Sequence, residues 1–237
     1  MPERWDNAAI LRQEQIESGI DLTFSEVFLP YYKELISEYK PSSVLEVGCG
    51  TGHLSHEICK VVPKVVAIEP SSGMFKVAQK VLCKTNVEVI QNNIQNFESQ
   101  SIFEMVISHM CVQTINDISN FFKSVGRFIS TKALFVFTIP HPCFYNDYKN
   151  FFPDNEFSYM DVTKKEITFS ISKDPSRPIT GVPYNHRPIS SYFKNLNNNN
   201  MVAIDFHEIF PNPQVHCLYD KPWEIPRYCV FHVKRNH

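Results

Sequence analysis

Residues 44–55 read Val-Leu-Glu-Val-Gly-Cys-Gly-Thr-Gly-His-Leu-Ser, and they are the most informative part of the sequence. It consists of a short apolar run, three glycines that alternate with small residues, and a segment compatible with a helix. Glycine lets a backbone turn sharply and lie close to a ligand, because it has no Cβ. A helix that begins behind such a loop offers unpaired N–H groups to a polar or anionic group. The stretch therefore predicts a strand, a glycine loop and a helix that bind a nucleotide-type cofactor.

The spacing of these glycines separates several kinds of nucleotide site. The dinucleotide fingerprint has glycine at the first, third and sixth positions, and here the sixth position holds His53. The phosphate-binding loop requires Gly-Lys-Ser/Thr, and the chain contains no such triplet. The chain has instead Glu-x-Gly-x-Gly-x-Gly, in which Glu46 lies two residues before the first glycine. The loop alone is weak evidence, so the residues that follow it must identify the cofactor.

Composition bounds the class of protein. A chain of 237 residues can form one domain with a sizeable core. A net charge of −2 argues against a nucleic-acid-binding surface, which is normally basic. We expect neither a signal peptide nor a membrane span, because no apolar h-region and no run of about 18 apolar residues is present. The 7 cysteines are widely spread without a Cys-x-x-Cys pair, which favours reduced thiols and a cytoplasmic protein.

Apolar runs alternate with helical patterns through the first half of the chain. Two helices are expected first, at 7–18 and 23–39. The expected strands lie at 44–47, 65–68, 87–90, 103–108 and 133–139, and helices between them at about 54–61, 71–81 and 118–128. Strands that alternate with helices predict a doubly wound, mostly parallel sheet of the α/β class.

The alternation stops after Pro140, where prolines and aromatic residues become frequent. A strand is expected at 166–171, then a helix near 189–196 and strands near 202–210 and 228–233. We therefore expect one domain, 1–237, in four parts. These are a helical cap (1–40), a cofactor-binding core (41–140), an insertion that forms a substrate lid (141–187) and a closing helix and strands (188–237).

Polar residues at the carboxyl ends of the predicted strands complete the cofactor site. Glu69 directly follows the second strand, where a carboxylate can accept hydrogen bonds from both hydroxyls of a ribose. Asn93 and Ile94 follow the third strand, and His109 and Met110 follow the fourth. Glu69 indicates a nucleoside, but it would serve NAD as well as S-adenosylmethionine.

Together these points resemble the core of the class I S-adenosylmethionine-dependent methyltransferases across about residues 41–140. The resemblance implies a Rossmann-like, seven-stranded sheet with an antiparallel last strand, and S-adenosyl-L-methionine as the cofactor. In that family an acidic residue commonly stands where this chain has Asn93, so the contact with adenine lacks charge assistance. The residues that the resemblance implies for cofactor binding are Glu46, Gly48, Cys49, Gly50, Gly52, Glu69, Pro70, Asn93, Ile94, His109 and Met110.

A looser resemblance to small-molecule methyltransferases covers Trp5 and the helix after it, 21–30, 139–144 and 186–192. In those relatives an N-terminal helix pair and an insertion after strand five build the substrate chamber. The aromatic residues at 141–160 suit an aromatic or apolar acceptor, since binding pockets are mainly apolar. The expected substrate-binding residues are Trp5, Tyr31, Phe144, Tyr145, Tyr184 and Arg187.

Methyl transfer from a sulfonium is an in-line displacement, so the main task of the protein is to position the nucleophile. Holding it about 3–3.5 Å from the methyl carbon can supply about 7–11 kcal/mol. A general base helps only if the nucleophile must lose a proton, and histidine titrates near neutrality. His141 and His186 are the candidate bases, because His141 follows the fifth strand and His186 ends the insertion.

We expect no metal site. His53 and His56 are three residues apart but have no further ligand at a suitable spacing, and His141 and Cys143 also lack partners. A magnesium site would need an acidic cluster near strand four, where only Asp117 is available.

The leading hypothesis is therefore a methyltransferase that acts on an oxygen or nitrogen of a small molecule, as a monomer or homodimer, without nucleic acid or membrane. A peptide or protein N-methyltransferase is one alternative. A non-catalytic, cofactor-binding partner subunit is another.

Overall fold

The computed structural model describes residues 2–153 and 157–236. Residues 1, 154–156 and 237, which belong to the expected cap, insertion and closing segment, lie outside the described residues. Within the described ranges, none of the helices combines the length and the apolar character that crossing a membrane requires.

A seven-stranded sheet forms the centre of the molecule, with the order β3-β2-β1-β4-β5-β9-β8. β9 is antiparallel to both of its neighbours, and the other adjacent strands pair in parallel. The strands of this sheet are β1 (Ser43–Val47), β2 (Lys64–Ile68), β3 (Glu88–Ile90), β4 (Phe103–His109), β5 (Ile129–Pro140), β8 (Met201–Ile209) and β9 (Tyr228–Arg235). The predicted α/β sheet with an antiparallel last strand is confirmed.

Helices connect these strands. The α-helices are α1 (Ala9–Glu17), α2 (Leu29–Tyr39), α3 (His53–Ile58), α4 (Ser72–Val81), α5 (Ile118–Val125), α6 (Tyr145–Lys149), α7 (Ile189–Asn197) and α8 (Pro213–His216). Short 3₁₀-helices span Pro2–Ala8 and Val112–Thr114, and a π-helix spans Thr23–Phe28.

The central strands are buried on both faces, so their apolar residues alternate between two cores. Val44 and Val136 pack into the core beneath the N-terminal helices and the insertion. Their neighbours Leu45 and Phe135 pack into the opposite core, beneath α5 and α7. This alternation follows from the two-residue period of a strand, and the continuous apolar runs of the sequence reflect burial on both faces.

The insertion contains a two-stranded antiparallel sheet of β6 (Thr163–Phe169) and β7 (Ile179–His186). The sequence predicted one strand there and missed β7, because Pro183 lies inside it. In a two-stranded sheet each strand has an open edge, so the missing N–H of a proline can be tolerated.

Candidate active site

A cavity of about 490 Å³ lies at the carboxyl ends of the parallel strands. Ligands of open α/β sheets bind at this edge, where the strand order changes direction. Three parts of the chain line the cavity: the glycine loop after β1, the N-terminal helices and the insertion. Trp5 of the N-terminal segment and Phe169 of β6 both line it. Their rings pack edge to face, with 6.5 Å between the ring centroids. The N-terminal segment and the insertion thus touch each other beside the cavity.

The glycine loop is tied to the end of β2. The backbone N–H groups of Gly48 and Cys49 both donate to the carbonyl of Ile68, at 2.9 and 3.1 Å. Gly50 has φ +56°, a left-handed conformation that glycine adopts without strain. A Cβ at Gly50 would meet no atom within 4 Å, so this part of the loop presents bare backbone to open space. Glu46, Gly48, Cys49 and Gly50, which the sequence analysis expects to bind the cofactor, all line the cavity.

Gly52 has a different role from the one that the sequence predicted. It does not belong to the lining of the cavity. A Cβ at Gly52 would lie 2.9 Å from the side chain of Leu82 and 3.2 Å from Ala78 of α4. The absence of a side chain at Gly52 therefore lets the loop pack against α4, and this glycine supports the site from behind.

Glu69 joins β2 to the loop. Its Oε2 accepts a hydrogen bond from the N–H of Gly50 at 2.8 Å, and its Oε1 accepts one from the N–H of Ser71 at 2.8 Å. Burial raises the pKa of Glu69 to about 7, against the lowering effect of these two bonds. Each carboxylate oxygen has a further lone pair. Because Glu69 lines the cavity, its carboxylate can accept hydrogen bonds from two neighbouring hydroxyl groups.

Glu46 is a second buried carboxyl group in the wall of the cavity. The Ser55 hydroxyl donates to it from α3, and burial raises the pKa of Glu46 to about 8. Glu46 thus carries a proton in a large fraction of molecules at neutral pH, which lowers the cost of burying it.

The residues after β3 point in opposite directions. Asn93 lines the cavity, together with Pro70 after β2, whereas Ile94 is buried in the core beneath α5. The expected contact of the Ile94 side chain with the cofactor is therefore wrong. The side-chain oxygen of Asn93 already accepts a hydrogen bond from the N–H of Asn96 at 2.9 Å.

His109 and Met110, two further expected cofactor residues, line the cavity at the end of β4. The Nδ1 of His109 lies 2.8 Å from the Thr138 hydroxyl, and burial lowers the pKa of His109 to about 3. His109 is therefore neutral at physiological pH. Met110 has φ 48°, an uncommon conformation outside glycine, and it turns the chain sharply into the next 3₁₀-helix.

The structure places both predicted bases outside the cavity. Pro140 lines the cavity, so the side chain of His141, one residue later, points away from it. The Nε2 of His141 lies 3.1 Å from Glu208, and its Nδ1 accepts a hydrogen bond from the N–H of Cys143. His186 lies against the rings of Phe157 and Tyr159 and bonds to the Tyr159 carbonyl at 2.9 Å. The expectation that either histidine faces the reaction centre is corrected.

The expected substrate residues divide into two groups. Trp5, Tyr145 and Tyr184 line the cavity. The other three do not: Tyr31 bonds to His232, Phe144 stacks on His141, and Arg187 donates to the carbonyls of Ile115 and Asn116. Arg187 is therefore used inside the protein, and its expected role as a partner of a substrate anion is corrected.

An ion pair in the cavity wall was not predicted from the sequence. Arg12 of α1 and Asp21 form an ion pair at 2.6 Å, and both line the cavity. Their charges both act on His109, so the pair lies near the end of β4. One cation beside one anion matches the charges of an amino-acid zwitterion. The looser resemblance covered the helix that contains Arg12 and the stretch 21–30, but it assigned a role to neither residue.

Among residues 2–153 and 157–236, no three His, Cys, Asp or Glu side chains are grouped closely enough to hold a metal ion. His53 lines the cavity, where Thr51 bonds its Nδ1 at 2.9 Å.

A family model described as "Methyltransferase domain" matches residues 44–132. The malonyl-[acyl-carrier protein] O-methyltransferase of Priestia megaterium is 29% identical over 98 residues, which cover 40% of this chain and 36% of that protein. The chain spans about a third to a half of the length of the curated relatives it matches.

Solved structures share the fold. An S-adenosylmethionine-dependent methyltransferase from Clostridium acetobutylicum superposes with a TM-score of 0.65 at 16% identity, over 88% of this chain and 91% of that one. A 1,6-didemethyltoxoflavin-N1-methyltransferase from Burkholderia thailandensis, with bound 1,6-didemethyltoxoflavin and S-adenosylhomocysteine, superposes with a TM-score of 0.57 at 13% identity. The match covers 98% of this chain and 89% of that one. The matched domain at residues 44–132 and the shared fold make this chain similar to S-adenosylmethionine-dependent methyltransferases, and its strand order and its glycine loop beside Glu69 fit that similarity.

Proposed function

We propose that this protein transfers a methyl group from S-adenosyl-L-methionine to an oxygen or nitrogen of a small, aromatic or largely apolar molecule. The observation that carries the proposal is one continuous cavity that is bounded by the glycine loop and Glu69 on one side and by the insertion on the other. Tyr145 and Tyr184 contribute rings to the insertion side. Cofactor and acceptor would therefore share one chamber.

The residues of the loop fit the adenosine part of the cofactor. Gly48 and Gly50 present backbone, Glu69 offers carboxylate oxygens to the ribose hydroxyls, and Asn93 stands beside the adenine position. The Arg12–Asp21 pair suits the carboxylate and ammonium groups at the amino-acid end. When bound, the cofactor supplies a sulfonium methyl group. The acceptor lone pair would form the new bond to carbon as the C–S bond breaks with its electrons on sulfur, and a proton from an N–H or O–H acceptor would be released to solvent as the product leaves the chamber.

Positioning, rather than a strong base, supplies the catalysis in this proposal. His109 is the histidine at the end of β4, and its pKa of about 3 makes it a poor proton acceptor at neutral pH. The chamber instead holds the acceptor close to the methyl carbon and excludes water, which can contribute on the order of 7–11 kcal/mol.

The contact between Trp5 and Phe169 supports a small acceptor over a peptide, because it joins two walls of the cavity where an open groove would separate them. The relative from Priestia megaterium is named for methylation of malonyl-[acyl-carrier protein], so we include a malonyl thioester among the candidates.

The test is incubation of the purified protein with S-adenosylmethionine that carries a labelled methyl group and a panel of acceptors. The panel contains phenols, N-heterocycles, amines, carboxylic acids, a malonyl thioester and short peptides. We expect label in a small-molecule product. Tight binding of S-adenosylhomocysteine without transfer to any member would contradict the proposal and favour a non-catalytic subunit, and transfer to peptides alone would favour the peptide N-methyltransferase.

A further inference from the structure

Lys149 is the charged residue that the insertion contributes to the cavity wall. It is the last residue of α6, and no other charged side chain among the described residues of the insertion lines the cavity. The carboxyl groups of the wall, Asp21, Glu46, Glu69 and Asp117, come from the N-terminal segment and the cofactor-binding core. The cavity is therefore polarised, because its acidic groups lie outside the insertion and a cation lies within it.

The Lys149 ammonium group is surrounded by other residues of the cavity wall. Its Nζ donates to the Ser170 carbonyl at 2.9 Å and lies 4.5 Å from the centre of the Tyr148 ring. Both of these residues line the cavity, and Lys149 itself is partly exposed. The bond to a neutral carbonyl uses one of the three N–H donors of an ammonium group. Among residues 2–153 and 157–236, Lys149 has no carboxylate partner, so its charge and its further donors are available to a ligand.

Two hydroxyl groups lie beside this ammonium group. The Tyr148 Oη and the Ser172 Oγ are 3.3 Å apart in an exposed hydrogen bond, and both residues line the cavity. Each hydroxyl can donate one hydrogen, and the bond between the two groups uses only one of them. An ammonium group and a free hydroxyl together suit the two oxygens of a carboxylate, because hydrogen bonds to an ionised group are the stronger kind.

A second cation lies against the Tyr148 ring. The guanidinium carbon of Arg227 is 3.8 Å from the centre of this ring and 4.6 Å from that of Trp223. Arg227 is only 5% exposed, so it adds positive charge from within the protein. Burial by itself would raise the pKa of Tyr148, but the charge of Lys149, the Ser172 hydrogen bond and the charge of Arg227 outweigh it and lower that pKa. The surroundings of the Tyr148 hydroxyl thus favour negative charge.

We propose that Lys149, Tyr148 and Ser172 bind a carboxylate group of the methyl acceptor, at the end of the molecule opposite to the oxygen or nitrogen that receives the methyl group. This inference rests on the proposed function and narrows its substrate class to aromatic or apolar molecules that carry a carboxylate. Tyr145 and Tyr184 supply rings in the same wall for the body of such a molecule. With the carboxylate held by the insertion, the nucleophile at the other end lies toward the cofactor loop.

The first experiment compares three phenols that differ mainly in the group at the far end. They are para-hydroxyphenylacetate, its amide and tyramine, which are an anion, a neutral molecule and a cation. Labelled methyl transfer is measured at saturating S-adenosylmethionine. We expect kcat/KM for the carboxylate to exceed that for the amide at least about tenfold, and tyramine to be the poorest acceptor.

The outcomes separate this inference from the proposed function. A kcat/KM for the amide or tyramine that equals or exceeds that of the carboxylate would overturn the inference and leave the proposed function standing. Transfer to none of the three, with a product from the wider panel, would do the same, whereas no transfer in either set would contradict both. A methyl ester as the main product, from para-hydroxyphenylacetate or from a malonyl thioester, would place the carboxylate at the methyl carbon and overturn the inference.

The second experiment changes Lys149 itself. Lys149→Met removes the charge and keeps an apolar stem, so we expect the KM of para-hydroxyphenylacetate to rise at least about tenfold. The KM of the amide and the Kd of S-adenosylhomocysteine should stay within about threefold. Lys149→Arg keeps the charge and should hold the KM of the carboxylate within about threefold. The exposed Lys164 of β6 lies outside the cavity and provides the control variant, Lys164→Met.

Reversal of the charge gives the sharpest comparison. Lys149→Glu should favour tyramine over para-hydroxyphenylacetate, because the wall of the insertion then carries an anion. Melting temperatures establish that each variant is folded. If Lys149→Met raises the KM of the carboxylate and of the amide equally, Lys149 only supports the fold of the insertion and the assignment is wrong. An unchanged KM of the carboxylate in folded Lys149→Met would also overturn it.

Discussion

The carboxylate of Glu69 accepts a hydrogen bond from the backbone N–H of Gly50 at 2.8 Å, so the end of β2 and the glycine loop form one rigid edge of the cavity. Loss of the carboxylate removes both this bond and the proposed ribose contact. We expect Glu69→Ala to weaken S-adenosylhomocysteine by more than about tenfold in calorimetry. Glu69→Gln keeps one acceptor oxygen, so its affinity for S-adenosylhomocysteine should lie between that of Glu69→Ala and that of the unchanged protein. An unchanged affinity in Glu69→Ala would contradict the placement of the cofactor.

Cofactor affinity should depend on pH through the same group. Burial raises the pKa of Glu69 to about 7, and ribose hydroxyls would donate to the ionised form and lower that pKa in the complex. The proton must then leave before binding, so affinity should be highest above about pH 7 and fall as the pH is lowered through that value.

Calorimetry with S-adenosylhomocysteine at several pH values measures this dependence. Glu46, with a pKa of about 8, also titrates in this range. The curve for Glu69→Gln isolates the contribution of Glu69, because Glu46 is present in both proteins. If the two curves run parallel, Glu69 does not ionise on binding.

Two loop glycines should respond differently to an added methyl group. At Gly50 the new Cβ meets open space at the cavity, whereas at Gly52 it meets Leu82 and Ala78. Both have positive φ, so each alanine variant carries a backbone cost of roughly 1–2 kcal/mol. We expect Gly52→Ala to lower the melting temperature more than Gly50→Ala does. Relative to its loss of melting temperature, Gly50→Ala should cause the larger loss of S-adenosylhomocysteine affinity. The reverse order would show that Gly52 faces the ligand.

Asp6 links the N-terminal segment to the start of α4. Its carboxylate accepts hydrogen bonds from the Ser71 hydroxyl at 2.6 Å, the Ser72 hydroxyl at 3.0 Å and the Gly73 N–H at 2.9 Å. We expect Asp6→Ala to lower the free energy of unfolding by about 1 kcal/mol, as for loss of a helix cap.

Urea denaturation measures this change, and the exposed neighbour Asn7→Ala serves as the control. The bonds to Ser71, Ser72 and Gly73 lower the pKa of Asp6, so their contribution is present above the ordinary aspartate pKa and is lost as the pH falls below it. Equal stability of the two variants at neutral pH would contradict this role.

His141 and His186 should contribute to stability and not to the chemical step. Both bond to groups of the protein outside the cavity, His141 to Glu208 and His186 to the Tyr159 carbonyl. We expect His141→Ala and His186→Ala to lower the melting temperature while kcat stays within about threefold of the unchanged protein at temperatures where the variants are folded. A large loss of kcat in a fully folded variant, with a changed pH–rate profile, would restore either histidine as a base.

The parts of this fold that local sequence determines could be predicted. The apolar run 65–68 corresponds to β2, and the glycine loop with Glu69 lies within one strand–loop–helix–strand unit, so their mutual placement follows from the topology. β7 could not be predicted, because Pro183 and the polar residues around it resemble a loop. Its pairing with β6 depends on contacts between distant parts of the chain.

The candidate site could be predicted where its residues lie next to the ends of strands. Residues next to strand ends were found, but the facing of a side chain there depends on register. His141 was expected to face the cavity, but Pro140, one residue earlier, lines it instead. Arg12, Asp21 and Lys149 carry no motif, and only tertiary packing brings them to the cavity wall. Lys149 in particular depends on Ser170, which is separated from it by 21 residues.

β9 lies between β5 and β8, so a strand that follows both of them along the chain completes the interior of the sheet. Until residues 228–235 emerge, β5 has an unpaired edge made of some of the most apolar residues of the chain, and β8 has no partner. Such edges pair readily with other chains. A growing chain that has not yet reached residues 228–235 therefore exposes an edge that can pair with other chains.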